Sequence, residues 1–548
     1  MKRRFYAPTI ALAVCSLSCQ GDPAPSPGEP SLSGHRISAH VKFLSSDALG
    51  GRGPATPGET LTTEYIATQF ALAGLKPGGD DGSYFQKVPL VGVQSLPETD
   101  LFWEGKGEKL RMDWLESYVA VNHRQRADQT IDAEAIYVGH GIVAPEFDWD
   151  DYKGVDVRGK VVVLFTNEPR SDDPAFFGGK ALTYYGRWVF KYEEALRQGA
   201  AGAIIVHTTP TAGYPWTVVR NSWSGRNPYV KLGDDEPALA VAGWVTSRTG
   251  EQILAQTGKS LDELLTEADS PDFQPILLNL RLRGRISSQV KAFDTRNVIG
   301  IVEGSDPRNK DEAVLYSAHW DHLGEGIAVE GDSIYNGAID NATGCGILLE
   351  MARAFAQLQQ PPARSIVFAA VGAEEGGLRG SQYYAEHPTI PAGKTAVNLN
   401  YDGLMPLGLG TDISLPGYER TTLRATVVGL AQKFQLEIRP EAHPEQGYYY
   451  RSDHFSLAKA GVPAFSIRPG TQYEGRPEEW GAQAREKYVA NDYHQPSDEF
   501  DPAWDFSGLE QIARFGFELG REVANQPELP TWNPGDEFLA AREKSWGR

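Results

Sequence analysis

Cysteine is scarce in this sequence of 548 residues, which contains three: Cys15, Cys19 and Cys345. Only Cys345 lies beyond the N-terminal segment, so an internal disulfide cannot stabilise the folded part of the chain. Cys345 stands among small residues, and we expect it to be a packing residue. Long apolar runs are also lacking. The N-terminal run, Ile10–Leu17, is too short to form a helix that spans a bilayer.

Positive charge is in deficit. The chain has 52 lysine and arginine residues against 72 aspartate and glutamate residues, which gives a formal net charge of −20. Binding to nucleic-acid phosphates or to anionic lipids needs clustered cations, so this composition argues against a nucleic-acid partner. With 41% hydrophobic residues the chain is typical of a globular protein, and its length allows two to four domains.

The N-terminus has the pattern of an export signal. The basic segment Lys2-Arg3-Arg4 precedes the apolar run, which ends at Leu17-Ser18-Cys19. This ending resembles a bacterial lipoprotein cleavage site, in which Cys19 would carry a lipid anchor; a plain secretory signal is the alternative. We therefore expect residues 1–18 to be a signal peptide and residues 19–34 a Pro-rich tether. The protein would be exported from a bacterial cell, as a membrane-anchored lipoprotein or as a secreted or periplasmic protein.

The remaining sequence changes texture twice. Residues 35–125 contain a helical pattern over 58–74 and form the expected N-terminal part of a catalytic domain. Between 126 and 285, short β-rich runs are broken by Gly, Pro and Asp, and one helical pattern occurs around Tyr184–Gln198. We expect an inserted, mostly β domain with few helices. Its β-rich runs are Ala135–Val138, Lys160–Phe165, Gly202–His207 and Ala238–Val241.

Residues 286–548 alternate strands and helices. The candidate strands are apolar throughout, as strands buried on both faces are; they are Asn297–Val302, Ala313–Ala318, Ser365–Val371, Ala396–Asn400 and Pro463–Ile467. Apolar helical stripes accompany them, formed by Ile347, Leu348, Met351, Ala352 and Phe355, and by Leu509, Ile512, Leu519 and Val523. The sequence therefore predicts an α/β fold with a mostly parallel central sheet covered by helices. Ligands bind at the carboxyl ends of the strands in such sheets.

Five polar clusters follow these strands or precede a helix. They are Ser317–His322, Tyr335–Asn341, Gly372–Gly376, Asn400–Gly403 and Tyr493–Asp498. Each alone has an ordinary interpretation as a satisfied polar residue, a helix cap or a turn. Together they would converge on one crevice, where adjacent carboxylates repel each other unless a cation compensates. Imidazole with carboxylate is the ligand mix that suits zinc.

The series of motifs resembles the two-zinc aminopeptidase family that includes glutamate carboxypeptidase II and the transferrin receptor. The matching motifs occur in the family's order; they are His319-Trp320-Asp321, Gly337-Ala338-Ile339-Asp340-Asn341, Glu374-Glu375, Asn400-Tyr401-Asp402 and Tyr493-His494-Gln495-Pro496-Ser497-Asp498. The segments Phe43–Asp47 and Gly51-Arg52-Gly53 resemble the start of the family's catalytic domain. Residues 126–285 resemble its inserted protease-associated domain, so the resemblance covers nearly the whole chain.

The resemblance implies a role for each site residue. Asp340 would bridge two Zn²⁺ ions. The remaining ligands would be His319 and Asp402 at one ion, and Glu375 and His494 at the other. Glu374 would be the general base for a water molecule that the two ions share, and Asp321 would hold the His319 ring through its other nitrogen. A cis peptide is also implied at Asp340-Asn341.

The implied activity is zinc-dependent removal of N-terminal residues from peptides with a free N-terminus. Alternatives on the same scaffold are another end-acting peptidase, such as a carboxypeptidase or dipeptidase, and a glutaminyl cyclase. A surface binding protein with structural zinc is a non-enzyme alternative, although a structural site would need no spare base such as Glu374.

Further polar and aromatic residues have weaker signals. Tyr448, Tyr449 and Tyr450 would either place a phenol near the oxyanion or form an aromatic wall of the pocket. Supporting or structural roles are expected for Asp453-His454, and surface or structural positions, not metal ligation, for His140, His207 and His443.

Overall fold

The computed structural model describes residues 30–105, 107–212, 215–233, 235–441 and 444–547. The expected signal peptide, Cys19 and His443 lie outside these residues. The end of the expected tether lies within them and belongs to the fold. Leu32 is buried in the main core, and the backbone N–H of Ser33 donates to Glu350. The fold therefore begins before residue 35.

The α-helices of the described residues are α1 (Gly34–Leu44), α2 (Pro57–Ala73), α3 (Trp188–Arg197), α4 (Thr209–Ala212), α5 (Trp216–Ser224), α6 (Ser247–Leu254), α7 (Leu261–Ala268), α8 (Thr343–Ala356), α9 (Arg379–Glu386), α10 (Arg424–Lys433), α11 (His454–Lys459), α12 (Trp480–Asn491), α13 (Ser507–Ala524) and α14 (Leu539–Ser545). Among the described residues, no helix combines the length and the apolar composition that crossing a bilayer requires.

The strands are β1 (Lys76–Pro77), β2 (Phe85–Ser95), β3 (Asp100–Gly105), β4 (Glu108–Arg111), β5 (Tyr118–Val121), β6 (Asp128–Tyr137), β7 (Val143–Ala144), β8 (Trp149–Asp150), β9 (Val161–Phe165), β10 (Gly202–Val206), β11 (Asn227–Val230), β12 (Val241–Val245), β13 (Ile276–Val302), β14 (Ala313–His319), β15 (Gly324–Val329), β16 (Asp332–Tyr335), β17 (Ser365–Val371), β18 (Thr395–Asn400), β19 (Asp412–Ser414), β20 (Glu437–Ile438), β21 (Ala464–Ser466) and β22 (Arg468–Pro469).

A parallel sheet forms the centre of the C-terminal half. Its strand order is β21-β18-β14-β17, and all neighbours in this set are parallel. The C-terminal part of β13 and then β2 add antiparallel strands beside β17. The predicted α/β fold with a central sheet flanked by helices is confirmed, with the difference that one side of the sheet is antiparallel.

The buried strands of this sheet serve two cores. Val314 and Tyr316 of β14 lie in a core with residues of α1, α2, α8, α10 and α13. Ala313 and Leu315 lie in a second core with residues of α9 and α11. Because neighbouring side chains of a strand point to opposite faces, an apolar run with no alternation is what two covered faces require.

The long strand β13 joins this sheet to a second one. Its N-terminal part pairs with β3 and β6, and the order continues through β9, β10, β12 and β5. Strands β3, β4 and β5 also belong to this second sheet through their pairing. They precede residue 126, so the second sheet includes strands from before the expected start of the insert. The stretch 126–285 is also more helical than expected, since it contains α3 to α7. The capping box of Ser260 and Glu263 at the start of α7 was a readable helix signal.

Candidate metal centre

The ends of three parallel strands bring the predicted site residues together. His319 is the last residue of β14 and pairs in register with Val371, the last residue of β17. Ser317 pairs with Asn400, the last residue of β18. The chain leaves each strand at the same edge of the sheet, so His319, the Glu374-Glu375 turn and Asp402 lie around one crevice.

A tight loop places Asp340 over this crevice. Gly337 has a left-handed backbone (φ 57°), and a Cβ there would lie 2.2 Å from the Asp340 carbonyl oxygen and 2.5 Å from the His322 ring. The peptide bond Asp340-Asn341 is cis, as the family resemblance implied. The Asp498 carboxylate accepts the backbone N–H groups of Ile339 (2.9 Å) and Asp340 (3.1 Å), which fixes the loop. Asp498 belongs to the last predicted motif, but no role was predicted for it.

The two carboxylate oxygens of Asp340 face different histidines. Oδ1 lies 3.1 Å from Nε2 of His319, and Oδ2 lies 3.3 Å from Nε2 of His494. On the first side, Asp402 Oδ1 lies 3.2 Å from the same nitrogen of His319. On the second side, Glu375 Oε2 lies 3.1 Å from Nε2 of His494. The residues predicted as ligands thus form two adjacent donor sets that share Asp340.

His322 is a member of the site whose role was missed. Its Nδ1 lies 2.6 Å from Oε1 of Glu375, its ring meets that of His494 edge-on at 5.6 Å, and its side chain is buried. Nε2 of His322 has no hydrogen-bond partner among the described residues. The sequence signal was present, because His322 follows Asp321 directly in the first polar cluster.

The contact between Asp321 and His319 differs from the implied one. The Asp321 backbone carbonyl lies 3.1 Å from Nδ1 of His319, whereas a carboxylate oxygen of Asp321 lies 3.8 Å from it. The carboxylate instead accepts the backbone N–H of Glu374 at 3.1 Å. Asp321 therefore orients the histidine through its main chain and the glutamate turn through its side chain.

Burial controls the ionisation of the site. It raises the pKa of Glu374 well above its ordinary value, and the neighbouring Glu375 carboxylate adds to the rise. Burial also raises the pKa of Asp321 to about 7. It acts in the same direction on Glu375, but the charges of His494 and His322 outweigh it and hold the pKa of Glu375 at about 2.

The donor set fits a divalent metal. Ligand atoms lie within 4.8 Å of one another in three groups, namely His319, Glu374 and Glu375; His319, Asp340 and Asp402; and His322, Asp340 and Glu375. Buried carboxylates in this number repel one another, and a cation compensates them better than the imidazoles alone. The mixture of imidazole nitrogen and carboxylate oxygen suits zinc.

The tyrosine cluster serves mainly structural contacts. The Tyr449 hydroxyl donates to the Ala464 carbonyl at 2.9 Å, and the Tyr450 hydroxyl donates to Glu537 at 2.7 Å. The ring of Tyr448 lies 4.8 Å from the guanidinium of Arg451. Of the three phenols, Tyr448 is thus the one left for the oxyanion alternative.

Four other histidine and acid predictions fall on buried side chains. Nε2 of His140 lies 2.9 Å from Asp269, and the His207 ring packs edge-on against Trp216 at 5.7 Å. Both lie in the second sheet's domain and have structural contacts there. Asp453 and His454 are fully buried. Cys345 is buried and free, and its S–H donates to the His319 carbonyl, which agrees with a packing role.

Strand β11, which lies within the stretch 126–285, contacts the Glu374-Glu375 turn. The Pro228 carbonyl accepts a hydrogen bond from Nε of Arg379 at 2.9 Å, and the Arg379 guanidinium lies 5.1 Å from the centre of the Tyr229 ring. A Cβ at Gly376 would lie 2.1 Å from Cγ of Pro228. The residue that follows Glu375 is therefore held against β11 by close packing.

Comparison with known families agrees with this geometry. The model of peptidase family M28 matches residues 297–515, the segment that carries every predicted ligand. This segment of the chain is therefore similar to the peptidases of family M28. The expected family relationship and the assignment of the chain as a hydrolase of peptides are confirmed.

The chain is similar to proteins named as aminopeptidases. It is 23% identical over 530 residues to an aminopeptidase of Pseudomonas aeruginosa (strain UCBPP-PA14), and the alignment covers 91% of this chain and 81% of that protein. It is 29% identical over 232 residues to the probable lipoprotein aminopeptidase LpqL of Mycobacterium tuberculosis, covering 40% and 43% of the two chains. The solved structure of the aminopeptidase from Aneurinibacillus sp. strain AM-1 shares the fold, with a TM-score of 0.50, 20% identity, and coverage of 92% and 97%.

Proposed function

We propose that the protein is a zinc-dependent aminopeptidase of family M28 that hydrolyses N-terminal residues from peptides. One observation carries the proposal. The two oxygens of Asp340 face His319 and His494, 3.1 and 3.3 Å away, so one carboxylate lies between two sets of metal-binding groups. The names of its relatives from Pseudomonas aeruginosa and Aneurinibacillus support the same activity.

The chain's own residues would hold two Zn²⁺ ions. The first ion's ligands would be His319, Asp340 and Asp402, and the second ion's would be Asp340, Glu375 and His494. Bound zinc supplies Lewis acidity toward a carbonyl and lowers the pKa of water toward about 7.

Glu374 would act as the general base. The turn after β17 places it beside the ligand groups, and the hydrogen bond from its backbone N–H to Asp321 fixes that turn. It would take a proton from the attacking water as the new carbon–oxygen bond forms. It would then give the proton to the leaving amine as the carbon–nitrogen bond breaks.

A free N-terminus would be selected through its amine, which can bind zinc or donate hydrogen bonds to the carboxylates that line the crevice, whereas an acylated N-terminus lacks this group. Two Zn²⁺ ions would offset the charge of the carboxylates that hold them, so these carboxylates would not repel a substrate carboxylate strongly. The name of the relative from Pseudomonas aeruginosa is what favours an aminopeptidase over the carboxypeptidase alternative.

The rest of the chain has proposed roles as well. We infer that residues 126–285 form a protease-associated domain, with β3 to β5 completing its sheet. We also infer export, supported by the signal pattern of residues 1–18 and by the relative named as a lipoprotein. Cys19 would be the anchored residue.

The experiment is a digest of matched peptides. Purified protein, loaded with zinc, is mixed with a peptide library and its N-acetylated counterpart, and the products are read by mass spectrometry. We expect stepwise loss of N-terminal residues from the free peptides only. Equal cleavage of both libraries, or loss from the C-terminus, would refute the aminopeptidase assignment.

A further inference from the structure

We propose that Arg52 is a positioning residue for the metal centre, which fastens the loop after β14 to the loop that carries Asp340. This inference rests on the proposed function, because the loops concerned carry the proposed ligands. Arg52 lies in the N-terminal part of the chain, outside the residues 297–515 that the family model matches.

The guanidinium of Arg52 donates four hydrogen bonds to backbone carbonyls. Nε donates to Trp320 at 2.7 Å, and Nη2 donates to Gly337 at 2.9 Å. Nη1 donates to both Leu44 and Asn336, at 2.6 and 2.5 Å. Trp320 follows the ligand His319, and Asn336 and Gly337 precede the Asp340 turn. One planar group therefore holds two ligand loops and the N-terminal segment at a fixed separation.

The backbone around Arg52 is shaped for this contact. Arg52 itself has a left-handed φ of 52°, as do Gly50 and Gly51 before it. A non-glycine residue with its backbone in this region destabilises the folded protein unless its surroundings compensate. A Cβ on Gly51 would lie 2.5 Å from the Gly324 carbonyl oxygen and 2.6 Å from that of Tyr335. The turn thus lies directly on the β15–β16 hairpin and directs Arg52 into the protein.

The same turn has further contacts with the Asp340 loop. The side-chain amide of Asn336 donates to the Ser45 carbonyl and to Asp47, both at 2.8 Å. The backbone N–H of His322 approaches the Arg52 carbonyl at 3.4 Å. The connection between the N-terminal segment and the ligand loops is therefore a set of directed hydrogen bonds, in which the guanidinium contributes the largest share.

Arg52 is a buried cation whose acceptors are carbonyls. It is 1% exposed. Burial lowers the pKa of its guanidinium, while acidic groups including Asp498, Asp321 and Asp340 act in the opposite direction. A positive charge beside a zinc site disfavours the metal, whereas a fixed ligand geometry favours it. These two effects have opposite signs, so variants can separate them.

The test measures zinc affinity in variants of the full chain. Arg52→Lys keeps the charge but has a single nitrogen that cannot reach carbonyls in both loops at once, and Arg52→Met removes charge and hydrogen bonds. Zinc binding is titrated against a fluorescent chelator, and the visible spectrum of the Co²⁺-substituted protein reports ligand geometry. Stability is followed by thermal unfolding.

Arg542 supplies the matched control. It is also fully buried, and it donates to the backbone carbonyls of Ala392 and Pro530 at 2.7 and 2.9 Å. Those carbonyls belong to segments that carry none of the proposed ligands. Arg542→Lys therefore reproduces the loss of stability that follows from replacing a buried arginine, without disturbing the ligand loops.

We expect zinc affinity to fall about 10- to 100-fold in both Arg52 variants, with a changed Co²⁺ spectrum, and to stay unchanged in Arg542→Lys. Tighter zinc binding by Arg52→Met, together with normal binding by Arg52→Lys, would overturn the proposal in favour of a purely electrostatic effect. Unchanged affinity in both variants would overturn it in favour of a purely structural role.

Three further results keep the test decisive. If neither Arg52 variant folds, Asp47→Ala removes an exposed acceptor of the Asn336 amide; a smaller loss of zinc affinity supports the proposal, and none overturns it. If the wild-type protein takes up no zinc, the proposed function itself fails. If the wild type binds zinc and cleaves peptides while the variants match it, only the role of Arg52 fails.

Discussion

Nδ1 of the buried His322 lies 2.6 Å from Oε1 of Glu375, and the other oxygen of that carboxylate faces His494. The imidazole thus occupies one oxygen of a proposed ligand and leaves the second oxygen directed at the metal position. Hydrogen bonds of this kind orient ligands and tune the metal.

Replacing His322 should therefore weaken metal binding, and the loss should be larger when the replacement cannot donate a hydrogen bond to Glu375. We expect His322→Leu to lower activity and zinc affinity about 10- to 100-fold. His322→Asn, which places an N–H donor close to Glu375, should lose much less. The measurement is zinc titration alongside peptidase kinetics. Equal losses in the two variants would instead indicate that the imidazole itself is a ligand.

The contact between Gly376 and Pro228 should make activity sensitive to β11. An added Cβ at Gly376 would lie 2.1 Å from the proline ring, so Gly376→Ala must displace the turn that carries Glu374 and Glu375. Misplacement by about 1 Å can cost about 100-fold in rate. We expect kcat to fall by this order while the protein stays folded.

Gly429→Ala is the control for this substitution. Gly429 lies inside α10, and a Cβ there meets no atom within 4 Å. It should stabilise the protein by up to about 1 kcal/mol and leave kcat unchanged. A kcat for Gly376→Ala equal to that of Gly429→Ala would contradict the coupling to β11.

Asp498 should be required for the Asp340 loop. Asp498→Ala leaves the buried backbone N–H groups of Ile339 and Asp340 without their acceptor, which costs about 1–3 kcal/mol for each group. Asp498→Asn keeps one acceptor oxygen and should lose less stability. Chemical denaturation measures both, and zinc content should follow the same order. Wild-type stability of Asp498→Ala would contradict this role of Asp498.

His40 should make stability depend on pH. Burial lowers the pKa of His40 from 6.5 to about 4, and Nδ1 lies 2.8 Å from the Tyr65 hydroxyl, which donates to the neutral ring. As pH falls from about 6.5 to 4, the His40 ring becomes protonated in the unfolded chain but stays neutral in the native protein. The free energy of unfolding should therefore fall in this range, by at most roughly 3 kcal/mol from this group.

His40→Gln tests this dependence because it keeps an acceptor for Tyr65 and removes the titration. Its unfolding free energy should match the wild type at pH 7 and exceed it at pH 4.5. Parallel curves for His40→Gln and the wild type would exclude this contribution.

Much of the α/β fold was predictable because its strands are buried on both faces. The predicted strand Ser365–Val371 is the observed β17, and the other strands of the parallel sheet agree within one or two residues. The start of β13 was missed, although Leu278, Leu280 and Leu282 alternate with polar residues there. That half-buried pattern was a strand signal of period two.

The site was partly predictable from sequence. Side chains after parallel strands meet at one edge, which is why His319, Glu375 and Asp402 could be grouped. The hydrogen-bond partners of Arg52 and His322 could not be predicted, even though His322 stands in the first polar cluster. These partners lie on loops that are distant in sequence and meet only in the folded chain. The same holds for Asp321, whose main-chain carbonyl makes the contact with His319, while its carboxylate accepts the Glu374 N–H, a contact that was not predicted.

The most direct test of the account compares zinc content and activity in Glu374→Gln. This change removes the proposed base and leaves all five proposed ligands in place. We predict two bound Zn²⁺ ions per chain, as in the wild type, with kcat for free peptides lowered about 100- to 10,000-fold. Wild-type activity in Glu374→Gln would contradict the assignment of the base, and wild-type protein that binds no zinc would contradict the metal centre itself.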